Sequence, residues 1–146
     1  MGIFNSYLEQ ELNDLDANSD LYALLISDDN SFGRSSSMAD IAGLEISTTN
    51  GYARQLQTFS GNASVAATGK YERVGDAVAF SASGGSMDQF SHIIFVKGAT
   101  GTQGNTSGTP VAFEPVDPDG SGNPQPITLS DGQAYEHTRT FSSEDV

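Results

Sequence analysis

The apolar residues at the start of the chain recur at helical spacing, whereas those after residue 20 form short strand-like runs. Within residues 3–15 they stand three or four positions apart, which places them on one face of a helix. Ser6 and Glu9 have the spacing of a capping box. Because so short a helix is marginal alone, its apolar face is expected to dock on its own domain or on another protein. That face comprises Ile3, Phe4, Tyr7, Leu8, Leu12 and Leu15.

Beyond residue 20, short apolar runs alternate with breaks rich in Gly, Asn and Asp, a pattern typical of a β-sandwich or barrel. Asn50 and Gly51 form a turn dipeptide between two of these runs, and the segment 37–40 could cap one helical turn. We therefore predict an all-β fold: an antiparallel β-sandwich of jelly-roll type over residues 20–146, preceded by an N-terminal helical arm over residues 1–19. The predicted strands cover residues 21–27, 44–49, 52–59, 63–74, 77–83, 89–98, 110–116, 126–129 and 134–141.

The charge of the chain restricts its partners. Six Lys and Arg residues stand against 19 Asp and Glu, which gives a formal net charge of −13. Binding of nucleic acid requires clustered basic residues, and anionic membranes attract basic segments, so the sequence predicts neither nucleic-acid nor membrane partners. The chain has no cysteine. Disulfides, thiolate nucleophiles and cysteine-based zinc sites are therefore excluded.

With so few cations, the arginine in the stretch STTNGYARQLQTF (47–59) needs an explanation. Gly51 can adopt the positive φ of a tight turn. Tyr52 is expected to pack its ring on the sandwich and to place its hydroxyl at the rim. Arg54, on the same face if both lie in one strand, is expected to pair with a carboxylate or to cap backbone carbonyls. Glu45 is one candidate partner if the turn makes a hairpin. The alternative is that Arg54 contacts a binding partner directly.

The segment DPDGSGN (117–123) matches the first half of a calcium-binding loop. Thr128 stands where such a loop requires Glu, and no predicted helices flank it. An ordinary solvated hairpin turn is the alternative, so no metal site and no cofactor are predicted. The candidate calcium ligands would be Asp117, Asp119, Ser121 and Asn123.

Catalytic chemistry is not indicated. His92 and His137 are the only histidines, and their spacing suggests neither a metal site nor a catalytic pair. The serine-containing segment 83–87 lacks the pattern of a nucleophile elbow. We predict that the protein is not an enzyme.

The segment GATGTQGNTSGT (98–109) is rich in Gly and Thr and carries no charge. In isolation such a segment is flexible. It is interpreted either as a mobile surface loop or as a loop that neighbouring subunits order. In the second case Thr102, Gln103 and Asn105 are candidate contacts with a partner, together with Ile3, Phe4, Tyr7 and Leu8 on the helix.

The order of several motifs resembles that in a family of small virion structural proteins of tailed bacteriophages, including phages of cyanobacteria and marine hosts. The most specific motif is EISTTNGYARQ (45–55), and the likeness covers most of the chain. The chain differs in its acidity and in a longer hairpin at DPDGSGNPQP (117–126). The other matching segments are DLYALLIS (20–27), AVAFSAS (77–83), FSHIIFVKGAT (90–100), PVAFEPV (110–116) and ITLSDGQAYEHTRTFSSED (127–145).

This resemblance implies a non-enzymatic virion protein, made in the bacterial host cytoplasm. The expected role is a capsid decoration, or cement, protein on the capsid surface that binds the major capsid protein, and decoration proteins are often homotrimers. A tail, fibre or adaptor component is the alternative, and a glycan-binding host-recognition module is a second one.

Overall fold

The computed structural model describes residues 5–27, 31–67, 70–117 and 120–142. Helix α1 spans Asn5–Asn13 and continues into a 3-10 turn at Asp14–Asp16. Helix α2 spans Met38–Leu44. Ser37 caps α2 because its hydroxyl accepts the Asp40 amide while the Asp40 carboxylate accepts the Ser37 amide. The predicted cap at 37–40 is therefore present, and it starts two turns of helix rather than one.

Nine strands form three antiparallel sheets within the described residues. The four-stranded sheet has the order β2-β1-β6-β7, the three-stranded sheet the order β3-β4-β9, and the two-stranded sheet pairs β5 with β8. The protein is thus built mainly of antiparallel strands with a short N-terminal helix. The strands are β1 (Tyr22–Ile26), β2 (Gln55–Leu56), β3 (Ser64–Ala67), β4 (Lys70–Val74), β5 (Val78–Ser81), β6 (His92–Lys97), β7 (Thr109–Pro115), β8 (Ala134–His137) and β9 (Thr140–Ser142).

The four-stranded sheet is buried on both faces. On one face, Leu25 and Phe95 join a large hydrophobic cluster with Phe80 of β5 and Phe141 of β9, so the two smaller sheets cover this side. On the other face a smaller cluster unites alternate residues of β1 and β6 with Met38 and Ile41 of α2. Since both faces are covered, β1 and β6 are nearly continuous apolar runs rather than alternating ones.

Helix α1 belongs to the same core. Leu12 and Leu15 are buried within the large cluster. The Asn13 side chain accepts the Ala63 amide at 2.7 Å, and Arg73 of β4 donates to the backbone carbonyl of Leu12 at 3.0 Å. The C-terminal half of the helix is therefore fixed to the β-strands. Ser6 lies inside α1, so the predicted capping box with Glu9 does not start the helix there.

Of the two predicted strands around the Asn50–Gly51 turn, one is wrong and the other is much shorter than predicted. Residues 44–49 are not a strand, because α2 extends to Leu44 and only Glu45 forms a single bridge, to Ile26 of β1. Asn50 adopts a φ of 57°, and the turn is a short 3-10 segment, Thr49–Gly51, rather than the tip of a hairpin. Of the predicted strand 52–59, only β2 pairs, and its partner is β1.

Two C-terminal predictions also need correction. Residues 126–129 form only one bridge, between Ile127 and Phe90. The predicted strand 134–141 is two strands, because the chain leaves the two-stranded sheet after His137 and enters the three-stranded sheet at Thr140. No helix among the described residues has the length and apolar character needed to span a membrane.

Candidate functional site

A fully buried ion pair between Glu45 and Arg54 lies at the centre of the candidate site. Glu45 follows α2 directly, and Arg54 immediately precedes β2. The guanidinium meets the carboxylate in a bidentate arrangement: Nε donates to Oε1 at 2.9 Å, and Nη2 donates to Oε2 at 2.8 Å. Both side chains have an exposed fraction of 0%. The predicted pairing of these two residues is therefore present, although no hairpin creates it.

Tyr52 links the ion pair to the four-stranded sheet through its hydroxyl. Its hydroxyl donates to Glu45 Oε1 at 2.7 Å and accepts the backbone amide of Leu25 at 3.2 Å. Because β2 covers only Tyr22 and Ala23 of β1, this hydroxyl satisfies an amide that β2 does not reach. The hydroxyl is thus buried, not placed at the rim as predicted. Burial, followed by the negative charge of Glu45, raises the pKa of Tyr52 far above its ordinary value, so the hydroxyl remains a donor.

The same pair holds the 98–109 loop. Arg54 Nη1 donates to the Thr100 carbonyl and Nη2 to the Asn105 carbonyl, both at 2.9 Å. Glu45 Oε2 accepts the Gly104 amide at 2.8 Å. Each carboxylate oxygen therefore accepts two hydrogen bonds, which compensates for removing both charges from water. Arg54 both pairs with a carboxylate and caps backbone carbonyls, and the carbonyls belong to a loop about 50 residues further along the chain.

Further contacts hold the two ends and the middle of the loop. The Gln103 side chain donates to the Ile46 carbonyl at 3.1 Å. At the start of the loop, the Ala99 amide donates to the Asp20 carbonyl at 3.0 Å, and Lys97 forms an ion pair with the Asp20 carboxylate at 2.5 Å. At its end, Gly108 has a φ of 111°, and a Cβ there would lie 2.9 Å from the Lys97 carbonyl oxygen. The loop consequently has a defined path despite its composition.

The outward side of the loop is polar and uncharged. Thr102, Thr106 and Ser107 are exposed, whereas Gln103 and Asn105 are half-buried. Of the three loop residues predicted to contact a partner, Gln103 uses its side chain and Asn105 its carbonyl to anchor the loop. Thr102 remains on the exposed side. We call the exposed residues Thr102, Thr106 and Ser107 the loop crest.

Gly51 also has a structural contact. Its φ is 99°, and a Cβ at this position would lie 3.0 Å from the Ser81 carbonyl oxygen at the end of β5. The Asn50 side chain donates to the Ser86 carbonyl at 2.6 Å. The turn therefore packs closely against the segment after β5. Any other residue at Gly51 would adopt an unfavourable φ, and its Cβ would come too close to the backbone of that segment.

The predicted docking face of the helix is divided between the core and the surface. Ile3 and Phe4 lie outside the described residues. Tyr7 is 53% exposed, and Leu8 is half-buried. In the part of the chain that the structure describes, no hydrogen bond or ion pair joins Tyr7 or Leu8 to the 98–109 loop.

The predicted calcium ligands form a turn in the described residues. The Asp117 carboxylate accepts the Ser121 amide at 3.0 Å and the Gly122 amide at 2.6 Å. Its oxygens are thus used to close the loop. The backbone amide of Asn123 donates to the Ser121 hydroxyl at 3.3 Å. Asp119 lies outside the described residues. Across the described ranges, no three Asp, Glu, His or Cys side chains cluster in a way that could hold a metal ion.

The two histidines lie on opposite faces of the four-stranded sheet. His92 contacts the Phe32 ring, which packs on the α2 side, and its Nδ1 lies 2.9 Å from the Ser91 hydroxyl. His137 contacts the Phe95 ring in the large cluster. They therefore cannot share one site.

A polar cluster that sequence analysis did not identify surrounds His137. Its Nε2 lies 2.5 Å from Glu114 Oε2, its Nδ1 lies 3.1 Å from the Tyr135 hydroxyl, and Arg139 also pairs with Glu114. Burial acts to raise the pKa of Glu114, but the hydrogen bond and charge of His137, with Arg139, outweigh it and lower that pKa. Burial and the charge of Glu114 raise the pKa of Tyr135 to about 12. The alternation of Tyr135, His137 and Arg139 was visible in the sequence, but their partner on β7 was not.

Comparisons with known proteins give no relative. No family model matches the chain, and neither the curated proteins nor the solved structures contain a significant match.

Proposed function

We propose that the protein is a non-enzymatic structural protein of a phage virion, and specifically a capsid decoration protein that binds the major capsid protein and stabilises the head. Several segments resemble those of phage virion proteins, the most specific being residues 45–55. The observation that carries the proposal is the anchoring of the 98–109 loop by the buried Glu45–Arg54 pair. A buried ion pair that makes three hydrogen bonds to one surface loop is best explained if the shape of that loop matters for binding.

The anchored loop suits a binding role because its conformational entropy is already lost in the free protein. Ordering a flexible loop on association lowers affinity, and a preformed loop avoids that loss. Its crest carries only Thr and Ser side chains, in a chain of net charge −13. A capsid subunit could therefore approach the crest without a nearby repelling charge on the loop itself.

The sheet arrangement favours a sandwich as the scaffold. The four-stranded sheet faces the two smaller sheets across the large hydrophobic cluster, and this packing supports the proposal of a β-sandwich. We propose that this layering is a jelly-roll-like variant in which the second layer is divided into a three-stranded and a two-stranded sheet.

A homotrimer at the meeting points of capsid subunits would give the protein several simultaneous contacts. Each contact can be weak, because linked contacts raise the overall affinity through effective concentration. Binding to the assembled shell alone also stabilises that shell by mass action.

The proposal is tested by counting copies of the chain in purified particles of the phage that encodes it. Quantitative mass spectrometry against the major capsid protein should give a ratio near one to one. A handful of copies per particle would instead place the chain in the tail or a fibre, and its absence from particles would overturn a virion role altogether.

The role of the loop is tested with a crest variant, Thr102→Arg with Thr106→Arg, added to shells that lack the protein. Bulky side chains on the crest should reduce shell occupancy at least about tenfold, the equivalent of about 1.4 kcal/mol. A matched variant, Thr138→Arg with Thr140→Arg, places the same charges at two exposed positions, one between β8 and β9 and one at the first residue of β9. Equal occupancy of the two variants would show that the crest is not the contact.

A further inference from the structure

A groove of about 440 Å³ follows the outer edge of β7. The rings of Phe32 and Phe113 meet edge to face in its wall, with centroids 4.8 Å apart. Ile41 and Ile94 also line it. Phe113 is 39% exposed, so one wall of the groove presents an aromatic surface to solvent.

The groove lies beside a strand edge that pairs with no other strand among the described residues. β7 is the last strand of the four-stranded sheet and contains seven residues. Within the described part of the chain, its only backbone hydrogen bonds are those of its pairing with β6. At the opposite edge β2 contains two residues, too few to offer a comparable template. Pro110 and Pro115 have no amide hydrogen, so the part of this edge to which an extended peptide can add as a further strand is residues 111–114.

The groove is also unusually rich in cations for this chain. Arg34 and Arg139 both line it, and the whole chain has only six Lys and Arg residues. Arg34 is exposed, whereas Arg139 pairs with Glu114. Two of the remaining cations, Arg54 and Arg73, are buried in other contacts. The β7 edge therefore combines a backbone template, aromatic surface and positive charge.

We propose that the β7 edge and its groove bind an extended acidic peptide segment of another protein, in which acidic and apolar residues alternate. Successive side chains of an added strand point to opposite sides, so one set can meet the apolar wall while the other approaches the guanidinium groups. A second copy pairing through its own β7 is disfavoured, because that strand would bring only one carboxylate, Glu114, which already pairs with Arg139. This binding mode rests on the groove and is independent of any role in a virion.

The test measures hydrogen exchange of the full chain with two synthetic peptides. The first is Val-Glu-Val-Asp-Val-Glu with blocked ends, and the second has Lys at each acidic position. The acidic peptide should slow exchange of the outward-facing amides within residues 111–114 about tenfold or more at saturation, a shift equivalent to about 1.4 kcal/mol. Exchange in β3, another edge strand, should not change. The net charge of −13 by itself favours binding of the lysine peptide. A preference for the acidic peptide would therefore indicate binding in the groove.

A charge reversal identifies the site. Arg34→Glu should weaken the acidic peptide roughly tenfold, while Lys70→Glu, which makes the same charge change at an exposed position on β4, should leave binding unchanged. Two results would overturn the proposal: tighter binding of the lysine peptide, or no added protection of any amide within residues 111–114 at millimolar acidic peptide. Concentration-dependent protection of β7 in the protein alone would overturn it in favour of a second copy.

Discussion

Arg54 and Arg73 are both buried, and each fixes a non-strand segment to the sheets, but their surroundings differ. Arg54 lies with Glu45 in an enclosed pair and holds the 98–109 loop through two carbonyls. Arg73 donates to the carbonyls of Leu12 and Asn13 at the end of α1, and its guanidinium lies 4.0 Å from the centre of the Phe59 ring.

The carboxylate partners mark the difference. The Glu45 side chain is 0% exposed, whereas that of Asp16, the partner of Arg73, is 32% exposed. Solvent can therefore stabilise the Asp16 carboxylate in part when Arg73 is removed, but it cannot stabilise the Glu45 carboxylate when Arg54 is removed. The comparison shows that a chain with few cations can use two of them as internal anchors, one paired with an enclosed carboxylate and one with a partly solvated carboxylate.

The largest expected effect is that of removing each guanidinium. Arg54→Met should lower the free energy of unfolding by about 3–5 kcal/mol, because it leaves a buried carboxylate without its counterion. Arg73→Met should lower it by about 1–3 kcal/mol, since hydrogen bonds are lost but Asp16 remains partly solvated. Urea denaturation at pH 7 measures both. Equal losses for the two variants would remove the distinction drawn between the anchors.

A smaller effect is expected when the carboxylates are neutralised without a change in shape. Glu45→Gln should still cost about 2–3 kcal/mol, because a charge-assisted bidentate contact becomes neutral and Arg54 stays buried. Asp16→Asn should cost less than about 1 kcal/mol, as is usual for partly exposed ion pairs. The same denaturation assay applies. A larger loss of stability in Asp16→Asn than in Glu45→Gln would contradict the prediction that the Glu45–Arg54 pair contributes more than the Asp16–Arg73 pair.

The smallest effect concerns the pH dependence of the partly buried Glu114. Its lowered pKa means that its contribution to stability is complete above about pH 5 and is lost as the pH falls below the ordinary Glu value of about 4.3 toward the folded-state pKa. Glu114→Gln should therefore flatten the acid limb of stability against pH. Glu136→Gln, at an exposed neighbouring position, is the control. An unchanged acid limb in Glu114→Gln would contradict this assignment.

Local patterns in the sequence predicted most elements but not their partners. The helical spacing near the N-terminus, the cap at Ser37 and the apolar runs of β1 and β6 all depend on neighbouring residues, and all are present. The segment 44–49 was misassigned because its short alternation was outweighed by the helix that Ser37 starts and by the positive φ of Asn50. The division of the strands among three sheets depends on contacts between distant residues, which a single sequence does not reveal.

The candidate site shows the same limit. The position of Arg54 and its pairing with Glu45 followed from the scarcity of cations and the nearness of the two residues in the chain. Its hold on Thr100 and Asn105 did not, because both acceptors are backbone carbonyls and carry no side-chain signal. For that reason the composition of the 98–109 loop allowed a mobile interpretation, although buried side chains hold its backbone by hydrogen bonds.

The most direct test of this account is a measurement of backbone motion in the 98–109 loop by nitrogen-15 NMR relaxation. The anchored loop should give order parameters close to those of the flanking strands, about 0.85, at least for Gly104 and Asn105. It should also become mobile in Arg54→Met under conditions where the variant remains folded. Order parameters below about 0.6 in the unaltered protein would contradict the claim that the buried Glu45–Arg54 pair fixes the shape of this loop.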